Sequence, residues 1–451
     1  MCGVVGVFNH KEASKLAYLC LYAEQHRGQE SAGIFSLDGK SFHQHCGMGL
    51  VADLFDQPLL EKLAGDACIG HVRYSTTGTS VLANAQPFVV NARGESYGIA
   101  HNGDITNSKF LKTQLEEDGA IFRSTMDTEV VMHLIAREKK GNIVDRITAA
   151  LKKVEGAYSL TFLCKEGLVA ARDPYGFRPL SIGKIGDGYI VVSETCALDL
   201  IDAEYVRDIE PGEIVLFNQE GIHSFKPFEK AKKRAKKCIF EYIYFARPDS
   251  HLFGRDVYPI RKGFGKQLAN EFPVDADVVI PIPDSGVPAA IGYAEESGIP
   301  YELGLIRNHY VGRTFIEPVS EIRHFGVKLK LNPVREVLEG KRVIVVDDSI
   351  VRGTTSMKIV KMLRKAGAKE VHMRVSSPPT IGPCYYGIDT PDKKELTAAN
   401  HSIEEIRKFI DADSLSYLSR DDLYWFEDEK NKDEYCDACF TENYPIMPKV
   451  R

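Results

Sequence analysis

One stretch, Arg342 to Ser356 (RVIVVDDSIVRGTTS), constrains the fold of this chain more than any other. It begins with four apolar β-formers, Val343–Val346, a run typical of a buried parallel strand. Asp347 and Asp348 end the run, and a glycine, two threonines and a helical pattern of apolar residues follow. A strand, a loop and a helix in this order bring backbone N–H groups to the carboxyl edge of a parallel sheet. The stretch therefore predicts an α/β fold with a ligand site at that edge.

The polar side chains of this loop favour a phosphorylated sugar as the ligand. Thr354 and Thr355 add hydroxyl donors to the backbone N–H groups, which suits a phosphate. Asp347 and Asp348 accept hydrogen bonds from sugar hydroxyls or bind a divalent cation. A plain strand-to-helix turn with capping residues explains the glycine and the threonines, but not two consecutive carboxylates.

The stretch resembles the phosphoribosyl pyrophosphate (PRPP) signature of the type I phosphoribosyltransferases. The resemblance implies a PRPP site made of Asp347, Asp348, Ser349, Arg352, Gly353, Thr354, Thr355 and Arg313. It implies a Mg²⁺ site made of Asp347, Asp348 and Ser285, the last of which follows a second buried-type strand. In the family, the segment matching Arg307–Ile316 is a mobile loop that orders when PRPP binds. An ordinary surface connection is the alternative for that segment.

Size and composition bound the rest of the chain. At 451 residues it is expected to form two domains of roughly 200 residues each. The lysine-rich stretch ending at Lys237 suggests a boundary that separates residues 2–237 from residues 238–451. No apolar run is long enough for a membrane helix, and a net charge of −6 argues against nucleic-acid binding. Ten cysteines without an export signal predict a cytoplasmic protein whose thiols serve metal binding or catalysis.

The second residue, Cys2, has the chemistry of a nucleophile. Methionine is normally removed before a small residue, which would leave Cys2 with a free α-amino group. An α-amine with a pKa of about 7.7–8.0 is suited to deprotonate the thiol near neutral pH. A cysteine at this position is weak evidence alone, and its neighbours decide the question.

Four polar motifs follow Cys2 in the first half of the chain. They are Gln25–Gly33, Ile69–Gly78, Ala100–Asp104 and Ser124–Glu129. Amide hydrolysis of an amino acid needs a guanidinium for the α-carboxylate and a carboxylate for the α-ammonium, and Arg73 and Asp127 fit these needs. It also needs an oxyanion hole, for which Asn102 and Gly103 are suited, although an Asn-Gly pair alone more commonly forms a hairpin turn.

Cys2 and these motifs resemble the class II glutamine amidotransferases, which have the N-terminal-nucleophile hydrolase fold. The resemblance implies an αββα sandwich followed by a type I phosphoribosyltransferase α/β domain. It assigns the nucleophile to Cys2 and the oxyanion hole to Asn102 and Gly103. It assigns glutamine binding to Arg73, Asp127, His71 and Thr76. In the family, the residues matching Arg27 and Tyr74 help to order the site.

Four other cysteines raise the question of a metal. Cys436 and Cys439 have the two-residue spacing that lets both thiolates reach one metal centre. That pair alone is also compatible with a redox role or with no role. Sequence spacing does not show whether the distant Cys238 and Cys384 bind the same centre. One branch of the glutamine PRPP amidotransferases carries a [4Fe–4S] cluster on four cysteines at matching places, which implies such a cluster here. The remaining cysteines are expected to be small core residues, at positions 20, 46, 68, 164 and 196.

The two resemblances occur in the order found in the glutamine PRPP amidotransferases. They imply that the chain converts PRPP and glutamine into 5-phospho-β-D-ribosylamine, glutamate and pyrophosphate. They also imply a homotetramer that purine nucleotides inhibit. Another class II amidotransferase would lack the Asp347–Thr355 signature, and a PRPP-responsive regulator would leave Cys2, Arg73 and Asp127 without a use.

Overall fold

The computed structural model describes residues 1–39, 41–75, 78–92, 94–228, 235–309, 330–390 and 392–449. Three predictions fall on other residues and lie outside the described part: Thr76, Arg313 and most of the Arg307–Ile316 loop. Among the described residues, no helix has the length and apolar character needed to cross a membrane.

Two antiparallel sheets form the first half of the chain. Their strands are β1 (Gly3–Phe8), β2 (Ser31–Leu37), β3 (Phe42–Met48), β4 (Ala67–Arg73), β5 (Phe88–Ala92), β6 (Glu95–Ile105), β7 (Gly156–Cys164), β8 (Gly167–Arg172), β9 (Ser181–Ile185), β10 (Gly188–Val192), β11 (Glu204–Asp208), β12 (Ile214–Asn218) and β13 (Gly221–Phe225). One sheet has the order β11-β9-β10-β1-β4-β2-β3, and the other has the order β13-β12-β8-β7-β6-β5. Of the motifs predicted for glutamine hydrolysis, Ile69–Arg73 lies on β4 and Ala100–Asp104 lies on β6, in the centres of the two sheets.

Helices cover the outer face of each sheet. They are α1 (Ala13–Ala23), α2 (Val51–Leu54), α3 (Gln57–Lys62), α4 (Ser108–Glu117), α5 (Thr128–Arg137), α6 (Ile143–Leu151) and α7 (Cys196–Leu200). The alternation of β1 explains the layers, because Val5 and Val7 pack towards α1 while Val4 and Phe8 pack between the sheets. Helices α4 to α6 cover the second sheet around Tyr158. The predicted αββα sandwich is confirmed.

The second half is built on a four-stranded parallel sheet. The strands of this half, including those outside the main sheet, are β14 (Lys237–Cys238), β15 (His251–Leu252), β16 (Arg255–Asp256), β17 (Val278–Pro281), β18 (Leu305–Arg307), β19 (Leu331–Pro333), β20 (Arg342–Asp347), β21 (Glu370–Val375), β22 (Ser414–Tyr417) and β23 (Tyr435–Cys436). The main sheet has the order β17-β20-β21-β22. Its helices and their neighbours are α8 (Val257–Glu271), α9 (Val287–Ser297), α10 (Arg335–Leu338), α11 (Thr354–Lys365), α12 (Thr397–Asn400), α13 (Ile403–Ile410) and α14 (Ala438–Thr441).

Strand β20 is buried on both faces, as its continuous apolar run predicts. Ile344 and Val346 pack towards α8 and α9, while Val343 and Val345 pack towards α11 and α13. The predicted α/β domain is therefore confirmed. Pro281 is the last residue of β17, an edge strand, where a residue without an N–H group is tolerated.

The cysteines outside the proposed cluster are mostly core residues. Those at positions 20, 68, 164 and 196 are buried, as expected. Cys46 is only half-buried, because its strand, β3, lies at the edge of the first sheet. The core prediction therefore does not hold fully for Cys46.

Candidate active sites

Cys2 lies at the start of β1, within reach of three other motifs of the first half. Its thiol donates to the carbonyl oxygen of Tyr74 over 3.5 Å, and its backbone N–H donates to Asn102 Oδ1 over 3.2 Å. Arg27 Nε donates to the carbonyl oxygen of Cys2 over 3.0 Å. Burial raises the pKa of the Cys2 thiol, so a neighbouring base is needed to form the thiolate near neutral pH.

Asn102 and Gly103 lie inside strand β6, so the hairpin-turn alternative is wrong. They pair with Ser159 and Tyr158 of β7. Asn102 is fully buried, and its Nδ2 has no hydrogen-bond partner among the described residues. A buried N–H donor without a partner is costly and rare, and it commonly indicates a functional role. Asn102 therefore presents an unused donor next to Cys2.

The backbone N–H of Gly103 points to the same edge of β6 as the N–H groups of His101 and Ile105, which lie two residues away on either side. The N–H of His101 donates to Gln86 Oε1 over 2.8 Å, and the N–H of Ile105 donates to Asp127 Oδ2 over 2.9 Å. Because alternate residues of a strand direct their N–H groups to the same edge, the N–H of Gly103 points away from β7 as well. A second donor is thus available beside Asn102.

Arg73 and Asp127 are the residues predicted to bind the α-carboxylate and the α-ammonium of glutamine. Arg73 is the last residue of β4, and Asp127 directly precedes α5. Both are largely buried, and both influence the pKa of Cys2: after burial, Arg73 lowers it and Asp127 raises it. Arg73 Nη1 donates to the carbonyl oxygen of Thr79 over 3.1 Å. The structure therefore brings a guanidinium and a carboxylate to the nucleophile, as the motifs predict.

Two buried histidines, His71 and His101, contact the residues around this site. His71 Nε2 lies 3.0 Å from the carbonyl oxygen of His101, and burial lowers the pKa of His71 to about 3, so its ring is neutral. The contact of His71 is thus with strand β6. His101 Nδ1 lies 3.1 Å from Thr128 Oγ1 and 3.5 Å from Asp127 Oδ1. Burial opposes the charge on His101, but the Asp127 carboxylate raises its pKa overall. Sequence reasoning missed His101, although it directly precedes Asn102.

A buried ionic network joins Cys2 to the second half of the chain. Arg27 contacts Glu194 and donates from Nη2 to Glu241 Oε1 over 3.0 Å. Arg178 Nη1 donates to the same oxygen over 3.2 Å. All four side chains are fully buried. Since Arg27 also donates to the carbonyl oxygen of Cys2, Glu241 helps to hold the nucleophile.

The second site lies at the carboxyl end of β20. Asp347 and Asp348 are largely buried, and burial raises the pKa of both carboxyls. The N–H of Asp348 donates to Asp347 Oδ1 over 3.0 Å, and Ser349 Oγ donates to Asp348 Oδ2 over 2.6 Å. Ser285 lies near enough to Asp348 for its hydroxyl to lower the pKa of that carboxyl, against the larger effect of burial. The three residues predicted for Mg²⁺ are therefore together, and two buried carboxylates suit a cation partner.

The rest of the predicted PRPP loop surrounds the start of α11. Gly353 has φ +71°, a conformation that favours glycine, and Thr354 and Thr355 begin the helix. Arg352 lies on the surface and donates from Nε to Glu395 Oε2 over 3.0 Å. The loop thus offers the N-terminus of a twelve-residue helix to an anion.

The four predicted cluster cysteines converge between the two halves. Cys238 and Cys436 are opposite each other in the parallel pair β14–β23. Burial raises the pKa of Cys439, and the thiolates of Cys238, Cys384 and Cys436 raise it further. Arg178 Nη2 lies 4.0 Å from Cys384 Sγ. Within the described ranges, no group of three or more His, Cys, Asp or Glu side chains has the spacing that a single metal ion needs.

Comparisons with known proteins match both halves. Residues 71–200 match the glutamine amidotransferase domain family, and residues 260–380 match the phosphoribosyl transferase domain family. Chloroplastic amidophosphoribosyltransferase 1 of Arabidopsis thaliana is 55% identical over 449 residues, which cover 99% of this chain and 79% of the relative. The amidophosphoribosyltransferase of Bacillus subtilis is 50% identical and covers 100% of this chain and 96% of the relative. The chain belongs to the amidophosphoribosyltransferase family.

A solved structure agrees with this result. The glutamine PRPP amidotransferase from B. subtilis, complexed with ADP and GMP, has a TM-score of 0.92 and 49% identity to this chain. The match covers 98% of this chain and 97% of that one. As an amidophosphoribosyltransferase, the chain is a glycosyltransferase that catalyses the first step of purine biosynthesis. The predicted activity is confirmed, and its substrates are glutamine and PRPP. Similarity over the full length sets aside the two alternative functions.

Proposed function

We propose that the chain transfers ammonia from a glutaminase site at Cys2 to a PRPP site at Asp347–Thr355. The observation that carries the proposal is the buried Nδ2 of Asn102 beside Cys2, which has no hydrogen-bond partner in the described part of the chain. An oxyanion hole requires such a free donor. The Nδ2 of an asparagine with only a structural role would instead be hydrogen-bonded within the protein.

The proposed hydrolysis begins with removal of Met1, which frees the α-amine of Cys2. This amine takes the thiol proton, and the thiolate attacks the side-chain amide carbon of glutamine. Asn102 Nδ2 and the Gly103 N–H stabilise the oxyanion. The protonated α-amine then gives its proton to the amide nitrogen, so that the C–N bond breaks, ammonia is released and a thioester is left. Arg73 and Asp127 bind the α-carboxylate and α-ammonium, while His71 supports strand β6 and Thr76 completes the predicted set. Water then hydrolyses the thioester to glutamate.

At the proposed PRPP site, Asp347 and Asp348 bind the ribose hydroxyls, and the Ser349–Thr355 loop binds the 5-phosphate. Ammonia attacks C1 of the ribose, pyrophosphate leaves, and the configuration inverts to give 5-phospho-β-D-ribosylamine. The buried carboxyls and Ser285 fit Mg²⁺, which when bound offsets negative charge on the leaving pyrophosphate. Arg313 is also proposed to contact PRPP.

We further propose that Cys238, Cys384, Cys436 and Cys439 hold a [4Fe–4S] cluster. Four free thiols act on one another electrostatically, which supports a common centre. Four cysteine thiolates are the ligand set that a [4Fe–4S] cluster needs. Such a cluster would supply a rigid link between the 238, 384 and 436–439 segments.

Iron analysis tests this cluster. Protein purified without oxygen is expected to contain about four iron atoms per chain and to absorb broadly in the visible region. Cys436→Ser should lose most of the iron, while Cys46→Ser, a matched change outside the set, should retain it. Zinc in place of iron, or no metal in the unchanged protein, would refute the proposal.

The regulatory and cellular proposals come from the family resemblance. Purine nucleotides are proposed to inhibit the enzyme, in keeping with ADP and GMP in the related B. subtilis structure. We also propose a homotetramer, a cytoplasmic location and a boundary between residues 237 and 238. Neither nucleic acid nor membrane is expected as a partner. Sedimentation with and without a nucleotide monophosphate tests the assembly.

Replacement of the nucleophile tests the division between the two sites. Cys2→Ala should lower glutamine-dependent product formation at least about 10⁴-fold, because it removes the group that forms the thioester. Activity with ammonium salts should remain. The assay follows glutamate and pyrophosphate, with and without PRPP. Loss of both activities in a folded variant would refute the proposed division of labour.

A further inference from the structure

A loop of the second half reaches into the first half of the molecule. The ring of Tyr386 stacks on Phe177, with centroids 4.2 Å apart and an interplanar angle of 14°. Arg178 Nε donates to the carbonyl oxygen of Tyr386 over 2.8 Å, and the Tyr386 hydroxyl donates to the carbonyl oxygen of Ile446 over 2.7 Å. Contacts of its ring, its carbonyl oxygen and its hydroxyl therefore fix the position of Tyr386.

The next residue, Gly387, lies against the backbone of Gly103. A Cβ built on Gly387 would be 2.9 Å from both Cα and the carbonyl carbon of Gly103, and 3.0 Å from its carbonyl oxygen. Carbon atoms pack at about 3.5–4.0 Å, so a side chain at Gly387 has no room. Only a residue without a Cβ allows the loop to contact this strand so closely.

Gly103 has little freedom to move away from this contact. On the side where its own Cβ would point, it meets the carbonyl oxygen of Ala157 in β7 and the ring of His101. Residues 102–105 of β6 are also paired with β7. A displacement imposed at Gly387 would therefore be passed to the peptide groups on either side of Gly103.

We propose that Gly387 is a positioning residue for glutamine hydrolysis, which sets the oxyanion-hole backbone at Gly103 from the phosphoribosyltransferase half. The role of Gly387 rests on the proposed function of Asn102 and Gly103. Tyr386 fixes the loop, and the absence of a side chain at Gly387 lets its backbone define the position of Gly103. The second half of the chain thus takes part in building the glutaminase site.

The test compares Gly387→Ala with a matched control, Gly367→Ala. Gly387 has φ +99° and Gly367 has φ +100°, so both substitutions strain the backbone alike. The Cβ at Gly367 meets only Glu339 among its nearest neighbours. The measurements are kcat and KM for glutamine, the rate with ammonium salts, and alkylation of Cys2 by iodoacetamide.

Gly387→Ala is expected to lower kcat for glutamine roughly 10²-fold, the effect of a small misplacement of a catalytic group. KM for glutamine should stay nearly constant, because oxyanion donors act in the transition state. The ammonia-dependent rate and Cys2 alkylation should not change, and Gly367→Ala should behave like the unchanged protein. Equal effects of the two variants, or parallel loss of both activities in Gly387→Ala, would overturn the proposal.

Two further variants keep the test decisive. If Gly387→Ala does not fold, Tyr386→Leu removes the stacking that fixes the loop, and the same selective loss of glutamine use is expected; no selective loss would refute the role. Asn102→Ala separates this proposal from the proposed function. If Asn102→Ala retains full glutamine use, the oxyanion assignment itself is wrong. If Asn102→Ala loses that use while Gly387→Ala does not, only the role of Gly387 fails.

Discussion

At the residue scale, Asn102 combines two tasks in one side chain. Its Oδ1 accepts from the backbone N–H of Cys2, and its buried Nδ2 has no partner among the described residues. The first contact fixes the orientation of the amide, so the second atom is presented to the substrate side. His101 beside it pairs with Asp127, the carboxylate proposed to bind the α-ammonium of glutamine. The site is therefore charged and preorganised before glutamine arrives.

The His101–Asp127 pair predicts a pH-dependent contribution to stability. The folded-state pKa of His101 is raised above its unfolded value of about 6.5, so the contribution is complete below pH ~6.5 and is lost as pH rises through the folded pKa. His101→Gln should therefore lower the thermal midpoint more at pH 6 than at pH 9. In an Asp127→Asn background this difference should vanish. An equal loss at both pH values in the unchanged background would contradict the pair.

At the element scale, strand β20 and helix α11 together form the proposed PRPP site. Both faces of the strand are buried, so its register is fixed and its two terminal carboxylates cannot move to water. The helix N-terminus lies across the loop from them. The carboxylates at the end of β20 thus provide hydrogen-bond acceptors, and the N–H groups at the start of α11 provide donors.

The two ends of β20 allow a controlled comparison. Asp348→Asn, at the carboxyl end, should lower PRPP-dependent activity at least about 10-fold with either nitrogen source, because it weakens cation and ribose binding. Asp277→Asn affects the opposite end, where Asp277 pairs with Arg342, and activity should remain. Initial rates at varied PRPP and Mg²⁺ measure both variants. Similar losses at the two ends would show a stability effect and not a site effect.

At the scale of the whole molecule, the two halves share buried charge. Glu241 belongs to the second half and accepts from Arg27 and Arg178 of the first. Arg178 also lies near Cys384. A buried carboxylate between two guanidinium groups is stable only when all partners are in place. The glutaminase site therefore depends on correct packing of the second half.

Removal of that carboxylate tests the dependence. Glu241→Gln should destabilise the protein by about 3–5 kcal/mol, because two buried guanidinium groups lose an anionic partner. It should also lower glutamine use more than ammonia use, since Arg27 contacts Cys2. Urea unfolding measures the first effect. Glu404→Gln, in an exposed pair with Arg407, should leave the midpoint nearly unchanged, and an equal shift in both variants would contradict the network.

Much of the local chemistry at the two proposed sites can be predicted from sequence patterns. A run of apolar residues ending in Asp347 and Asp348 predicted a buried strand and its ligand loop, because side-chain periodicity reports which faces are buried. Cys2 and Asn102 were predicted from the order of their motifs along the chain and from the chemistry of amide hydrolysis. The α/β half followed from its strand–loop–helix pattern, whereas the αββα sandwich was implied only by the resemblance to the class II amidotransferases.

Contacts between residues far apart in the sequence are visible only in the folded chain. Contacts such as Gly387 with Gly103, or Glu241 with Arg27, join segments separated by more than two hundred residues. No local pattern records such pairs, because they depend on how sheets and loops pack in three dimensions. His101 was missed for the same reason: its role depends on Asp127, which only the packing of α5 against β6 brings beside it.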